Sequence, residues 1–271
     1  MSPIYFLRGL TVVGSAFCFF LSGEAVADAK TVKSLTAKKV AIVSRLHKKA
    51  SKAIVNFAQD KVFDRYYGGD KSAKTSIDQL ELKVQSKFHV EEMCLIGHNG
   101  HEVSRIVADM IAPDSELSKD EASASFFKPG FATAPKRVYV SPTYMSPDAN
   151  KWVVAYVTPI SYGGEKPAIL HYEHGLDVYQ TALDKGVKAG SYVLAVDVEG
   201  YVISDSRNPP AIAKINEKEE LAHYFAKLAG PISNSVQLGK TGQGEFSEGG
   251  ADYLVAYKPV EDWTIISVEK Q

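Results

Sequence analysis

The chain has 271 residues, is 45% hydrophobic and 23% charged, and carries a formal net charge of −1. That balance describes an ordinary globular protein with a substantial core. It excludes the strongly basic surface that nucleic acid or an anionic membrane would select.

The first thirty residues stand apart. Arg8 is followed by an apolar run from Gly9 to Leu21 and then by the small-x-small site Ala25-Val26-Ala27. This is the layout of a secretory signal peptide over residues 1–27, with cleavage expected after Ala27. The run falls short of the roughly 20 residues that a membrane span needs. Without it the chain keeps one cysteine, Cys94, inside an apolar segment. A secreted chain that needs no intramolecular disulfide fits a bacterial periplasm, and Cys94 reads as a small buried hydrophobe. No second run of spanning length follows. The expected product is therefore soluble and periplasmic, or at most held by its N-terminus.

From Thr31 to about Tyr67 there is neither proline nor glycine. Val43, Leu46, Ala50, Ala53 and Phe57 alternate spacings of three and four, with Lys38, Lys39, Lys48, Lys49 and Lys52 at polar positions. One long amphipathic helix is expected, ended by Gly68-Gly69. Its stripe can pack on its own domain or form the seam of a homodimer. A second helix is expected over Ser72 to Ser86.

Met93 to Ile96 reads as a buried strand, Asn99-Gly100 as a tight hairpin turn, and Val103 to Ile106 as the return. "SKDEASASFF" is a helical turn. "RVYVSPTYM" and "KWVVAYVTPI" are strands joined through Pro147-Asp148, "AILHYE" is another strand, and "HGLDVYQTALDKG" is a helix. The hairpin then recurs. Glu199-Gly200 lies 100 residues after Asn99-Gly100, Pro259 lies 100 after Pro159, and "TIISVE" follows "AILHYE" at an offset of 96. Three strands in the same order at nearly constant spacing indicate two tandem copies of one α+β unit.

An export segment, a long helix and two such units resemble the double Cache family, the extracytoplasmic sensing module of bacterial chemoreceptors and histidine kinases. The residues that carry the likeness are "LIGHNGHEVSRI", "SFF", "VYVSPTY", "WVVAYVTPI" and "AILHYE" in the first unit. In the second they are "YVLAVDVEGYVISDS" and "LVAYKPVEDWTIISVE". The resemblance implies an α+β fold with a long N-terminal helix and two PAS-like antiparallel sheets. Residues 28–187 would hold the helix and the membrane-distal unit, and 188–271 the membrane-proximal unit. It implies a sensor that binds a small organic solute in the first unit, with a part in signal transduction or chemotaxis through a membrane signalling partner. The chain departs from the family's usual architecture in showing no second membrane span or output domain, and reads as a stand-alone form.

The site residues that follow from the likeness and from the aromatic clustering are Phe126, Phe127, Tyr139, Tyr144, Trp152 and Tyr156, with Glu173 as an acidic handle. Trp152 and Tyr156 share one face of their strand. The amino-acid-binding branch of the family places an arginine just before its aromatic pair. Here Asp120, Glu121 and serines stand at those places, which favours an amine or another hydrogen-bond donor over a free carboxylate.

Two other readings stay open. One is a metal-dependent hydrolase built on His98, His101, His171 and His174; the other is an interaction protein that binds no ligand. No nucleophile elbow, phosphate loop or dinucleotide fingerprint is present, so no enzyme, cofactor or metal ligand is expected.

Overall fold

The computed structural model describes residues 28–207 and 226–271; the signal peptide expected over residues 1–27 lies outside them. Helix α1 (Ala29–Phe57) begins where the Asp28 carboxylate accepts from Lys30 N at 3.0 Å. It stops earlier than its composition suggests. Asp60 starts a new helix, α2 (Lys61–Tyr67), by accepting from Val62 N at 2.9 Å. A helix-capping aspartate thus divides a segment that contains no helix breaker. A 3-10 turn at Lys71–Ala73 leads into α3 (Lys74–Phe88), which ends at His89 in the left-handed region, φ 50°.

Two antiparallel sheets follow. The first contains β1 (Glu92–Gly97), β2 (Glu102–Val107), β3 (Met110–Ile111), β4 (Tyr139–Val140), β5 (Tyr144–Ser146), β6 (Lys151–Tyr162) and β7 (Glu165–Gly175). Their order is β3-β2-β1-β7-β6-β4, with β5 also on β6. Helix α4 (Phe127–Ala132) lies against β6 and β7, and α5 (Leu176–Asp184) leads away from β7. The second sheet contains β8 (Ser191–Asp197), β9 (Val202–Asp205), β10 (Gly242–Glu248), β11 (Ala251–Val260) and β12 (Trp263–Lys270), in the order β10-β11-β12-β8-β9. Short helix α6 (Pro231–Ser235) packs on β10.

The sheets repeat one path: β2-β1-β7-β6 in the first, β9-β8-β12-β11 in the second. The repetition reaches into detail. The hairpin ladders slip between Leu95 and Ile96 and again between Ala195 and Val196. Gly97 N donates to His101 O at 2.8 Å, and Asp197 N to Tyr201 O at 3.0 Å. Gly100 and Gly200 both close their turns at positive φ, 81° and 92°. One sequence alignment shifts. Cys94 faces His171 as Leu194 faces Ile266, so Glu173 corresponds to Val268 and not to Glu269. The offset in the last strand is one residue shorter than strand ends suggest.

One core joins the two units. Val43 and Ile54 of α1, Phe63 of α2, Ile77 of α3 and Tyr179 of α5 pack with Met93, Leu95, Tyr156 and Leu170 of the first sheet. Val193, Ala195, Trp263 and Ile265 of the second sheet belong to the same cluster. The α1 stripe is therefore buried inside the chain, and a dimer through this helix would have to use its other face. Lys39, expected at a polar position, is also buried. Its ammonium donates to the carbonyls of Lys185 at 2.7 Å and Ala182 at 3.4 Å, at the C-terminal end of α5, where unpaired carbonyls favour a cation. Among the described residues no helix is long and apolar enough to cross a membrane.

Candidate functional site

The two faces of the first sheet have different occupants. Along β1 the side chains of Met93 and Leu95 enter the shared core, while Cys94 and Ile96 enter a smaller cluster under α4. Alternation on β6 and β7 does the same: Val154, Tyr156, Leu170 and Tyr172 face the long helix, and Ala155, Val157 and Ile169 face α4. Side chains two apart share a face, so Glu92, His171 and Glu173 join the α4 side.

This parity sorts the expected site residues. Phe126, Phe127, Tyr139 and Tyr144 gather with the α4-side cluster, over Glu173. Trp152 and Tyr156 do not. They lie on the opposite face with α1, because the alternation that puts them together also turns them away from α4. Tyr156 is a core residue there: its hydroxyl lies 2.6 Å from His47 Nδ1 and also meets the Tyr179 hydroxyl.

Under α4 the polar groups are dense and buried. The Tyr144 hydroxyl donates to Glu173 Oε1 and lies 3.1 Å from His171 Nε2. Phe126 stacks on the His171 ring at 4.1 Å. Glu92 is the cross-strand neighbour of Glu173, and Cys94 that of His171. Cys94 Sγ lies 2.8 Å from Glu92 Oε1, and Ser146 Oγ donates to Glu92 Oε2 at 3.3 Å. Glu92, Cys94, His171 and Glu173 are each no more than 4% exposed. Of this cluster, sequence reasoning names Tyr144 and Glu173 as solute-site residues and His171 only for a metal centre; it reads Cys94 as a buried hydrophobe and does not name Glu92. The available signal was Glu92 directly before an apolar run, at the period that places it on the same face as Cys94.

Burial governs the electrostatics. Desolvation raises the carboxyl groups of Glu92 and Glu173 above the usual range; the charge of Glu173 raises Glu92 further, while hydrogen bonding, first from Tyr144, pulls Glu173 partly back. Burial also drives the Cys94 thiol and the Tyr144 phenol upward. It lowers His171 to about 3, so the ring is neutral. The nearby cations are committed elsewhere. Arg105 pairs with Glu102 at 3.4 Å and Asp148 at 3.2 Å, and Lys151 pairs with Glu91 at 2.9 Å. His171 Nδ1 and Glu173 Oε2 are buried without a hydrogen-bond partner.

The histidine pairs do not converge. His98 and His101 are exposed on the first hairpin turn. His171 faces α4, whereas His174 lies against the rings of Tyr156 and Tyr172 on the α1 side. Their odd spacing along one strand separates them, and a four-histidine hydrolase centre is not formed. A cleft of about 510 Å3 lies elsewhere, between the start of α1 and the entry to the second sheet, and Lys30, Lys38, Lys39 and Lys188 are among its lining residues.

No family model matches the sequence, and no curated protein matches it. Solved structures do. The sensory domain of the Campylobacter jejuni chemoreceptor Tlp3 with isoleucine bound aligns with a TM-score of 0.71 at 14% identity, over 89% of this chain and 92% of that one. The ligand-binding domain of the Pseudomonas fluorescens chemoreceptor CtaA with L-isoleucine aligns at 0.60 and 13% identity, over 90% and 92%. The extracellular domain of vpHK1S-Z8 aligns at 0.68 and 13% identity, over 89% and 94%. At such identities the likeness is one of fold: the chain has the double-Cache-like α+β fold of chemoreceptor sensory domains.

Proposed function

We propose that the protein is an extracytoplasmic sensory module that takes a small organic solute on the α4 face of its first sheet and passes occupancy to a membrane signalling partner. The observation that carries this reading is the buried Tyr144–Glu173–His171 cluster roofed by Phe126. Apolar walls with a few placed polar groups are what a small-molecule site requires. The structural neighbours Tlp3 and CtaA hold aliphatic amino acids in their complexes, which supports a solute of similar size. The local charge favours its amine end. Among the described residues no lysine or arginine pairs with Glu173, and Arg105 is already held by Glu102 and Asp148. The solute is thus an amine, or another donor of hydrogen bonds. Helix α1 touches both units and gives occupancy a rigid route from one to the other. The reading also implies export by residues 1–27, and a division of the chain into 28–187 and 188–271.

A thermal-shift screen over amino acids, amines, organic acids and purines tests the reading, since a ligand that binds only the folded state raises Tm. Stabilisation by amine-bearing solutes, weakened in Glu173→Gln, is the expected result. Stabilisation by organic acids alone would refute the assignment of the acidic handle. A screen in which no solute acts would leave the interaction-protein reading in its place.

A further inference from the structure

We propose that Glu92, Cys94 and His171 form a binding site for a divalent transition-metal ion of the zinc class. Their ligand atoms, one carboxylate oxygen, one sulfur and one imidazole nitrogen, all lie within 4.8 Å of one another, and all three residues are buried. The set arises from register. Glu92 and Cys94 share a face of β1, and Cys94 is the direct cross-strand partner of His171 on β7. A tetrahedral zinc site holds such donors at about 2.0–2.3 Å from the ion, so inward rotations of about 1 Å would close it.

Two further observations point to a ligand. His171 uses Nε2 toward the Tyr144 hydroxyl, at 3.1 Å, and toward Glu173 Oε1, at 3.7 Å. Nδ1 is buried with no partner. A metal-bound histidine typically anchors its other ring nitrogen on a carboxylate or similar group, which fixes the ring and its tautomer. Tyr144 and Glu173 are such groups beside Nε2, and the ion is assigned to the unpartnered Nδ1.

The second unit supplies an internal control. The pairs Glu92–Glu173 and Cys94–His171 correspond in register to Tyr192–Val268 and Leu194–Ile266. Those four, three aliphatic side chains and a tyrosine, belong to the second unit's hydrophobic cluster. The fold therefore packs this position without a carboxyl, thiol or imidazole, and the concentration of those groups in the first unit needs another reason. A thiolate with an imidazole selects zinc, cobalt or copper over magnesium and calcium, which take oxygen ligands. On binding, the Cys94 thiol releases its proton to solvent, and Glu92 does so where it is protonated. Three protein ligands leave one coordination position open, as in sites that also take water or a solute. The inference does not rest on the solute reading, because the ion alone is the ligand.

The test uses the whole protein, stripped of metal and titrated separately with Zn2+, Co2+ and Mg2+. One Zn2+ per chain is expected, with a rise in Tm. The Co2+ form should show a thiolate-to-cobalt charge-transfer absorption, a readout that needs no variant. Cys94→Ser, nearly isosteric, should abolish that absorption and weaken Zn2+ binding at least about tenfold. His98→Ala with His101→Ala should leave both unchanged. Failure of wild-type protein to bind Zn2+ would overturn the proposal. Zn2+ affinity unchanged in Cys94→Ser, a Co2+ form without a thiolate band, or equal binding of Mg2+ would do the same. A solute screen that fails while Zn2+ binds as described would overturn the solute reading and leave this one standing.

Discussion

The Tyr144 hydroxyl reaches Glu173 Oε1 across the whole width of β6, joining the short strand β5 to β7 over the centre of the first sheet. Glu173 Oε2 has no partner of its own, so this phenol is a main support of a buried carboxyl group. Tyr144→Phe removes the donor and keeps the ring. The expected loss is about 1–3 kcal/mol of folding stability, the usual result of leaving a buried polar group unsatisfied. Urea denaturation of the two proteins measures it. A midpoint unchanged at equal slope would show that the cluster is hydrated or rearranges without cost.

Glu173→Gln keeps the shape of the side chain and removes its charge. Against an amine-bearing solute found by the thermal-shift screen, affinity should fall by about 1.5–3 kcal/mol, roughly ten- to a hundred-fold. Calorimetry on the folded variant is the check. Equal affinity would take Glu173 out of the solute site.

Gly130 brings α4 close to β6. A Cβ built there would lie 2.5 Å from Val157 Cγ1, closer than packing allows. Gly130→Ala should lift the segment that carries Phe126 and Phe127, at about 1–3 kcal/mol for overpacking. Thermal melting reads the stability. Solute and Zn2+ titrations read whether the roof over the site has moved.

The matched turns make a paired experiment. Gly100 and Gly200 both have positive φ, at 81° and 92°, so alanine strains both by about 1 kcal/mol. Around Gly100 a Cβ would also meet Ala122 N at 3.0 Å, whereas at Gly200 the nearest atom is Leu238 Cδ1 at 3.7 Å. Gly100→Ala should therefore cost more than Gly200→Ala in denaturant unfolding. The reverse order would contradict the close contact.

His47 sits where α1, the first sheet, α5 and the second sheet meet, with the rings of Tyr179 at 5.2 Å and Trp263 at 5.1 Å. Burial lowers its pKa to about 4. An unfolded chain binds the proton near pH 6.5, but the folded one binds it only near 4. Its contribution is therefore complete above about pH 6.5 and is lost as pH falls toward 4. His174, nearby and also lowered to about 4, acts in the same direction, while the raised carboxyl of Glu81 acts in the opposite one. The comparison must therefore be a difference between proteins. Between pH 7 and 4.5, wild type should lose about 2–3 kcal/mol more than His47→Gln. Equal losses in urea unfolding at the two pH values would show that His47 is not buried neutral.

Much of this protein is determined locally, and that part is legible in the sequence. Strand periodicity, the turn glycines Gly100 and Gly200 and the two prolines one hundred residues apart come from short-range rules, and they yield the tandem sheets in the right order. The capping aspartate Asp60 was equally local and was masked by the unbroken helical composition around it. Which face a strand residue occupies is not local. Tyr156 and Tyr144 are both aromatic strand residues of the first unit, yet one packs under α1 and the other under α4, because the sheet divides two layers that the sequence does not label. The polar cluster has the same origin. Glu92 and Cys94 meet His171 and Glu173 only through the register of β1 on β7, strands that lie far apart in the chain, and a shift of one residue would send each side chain to the other face.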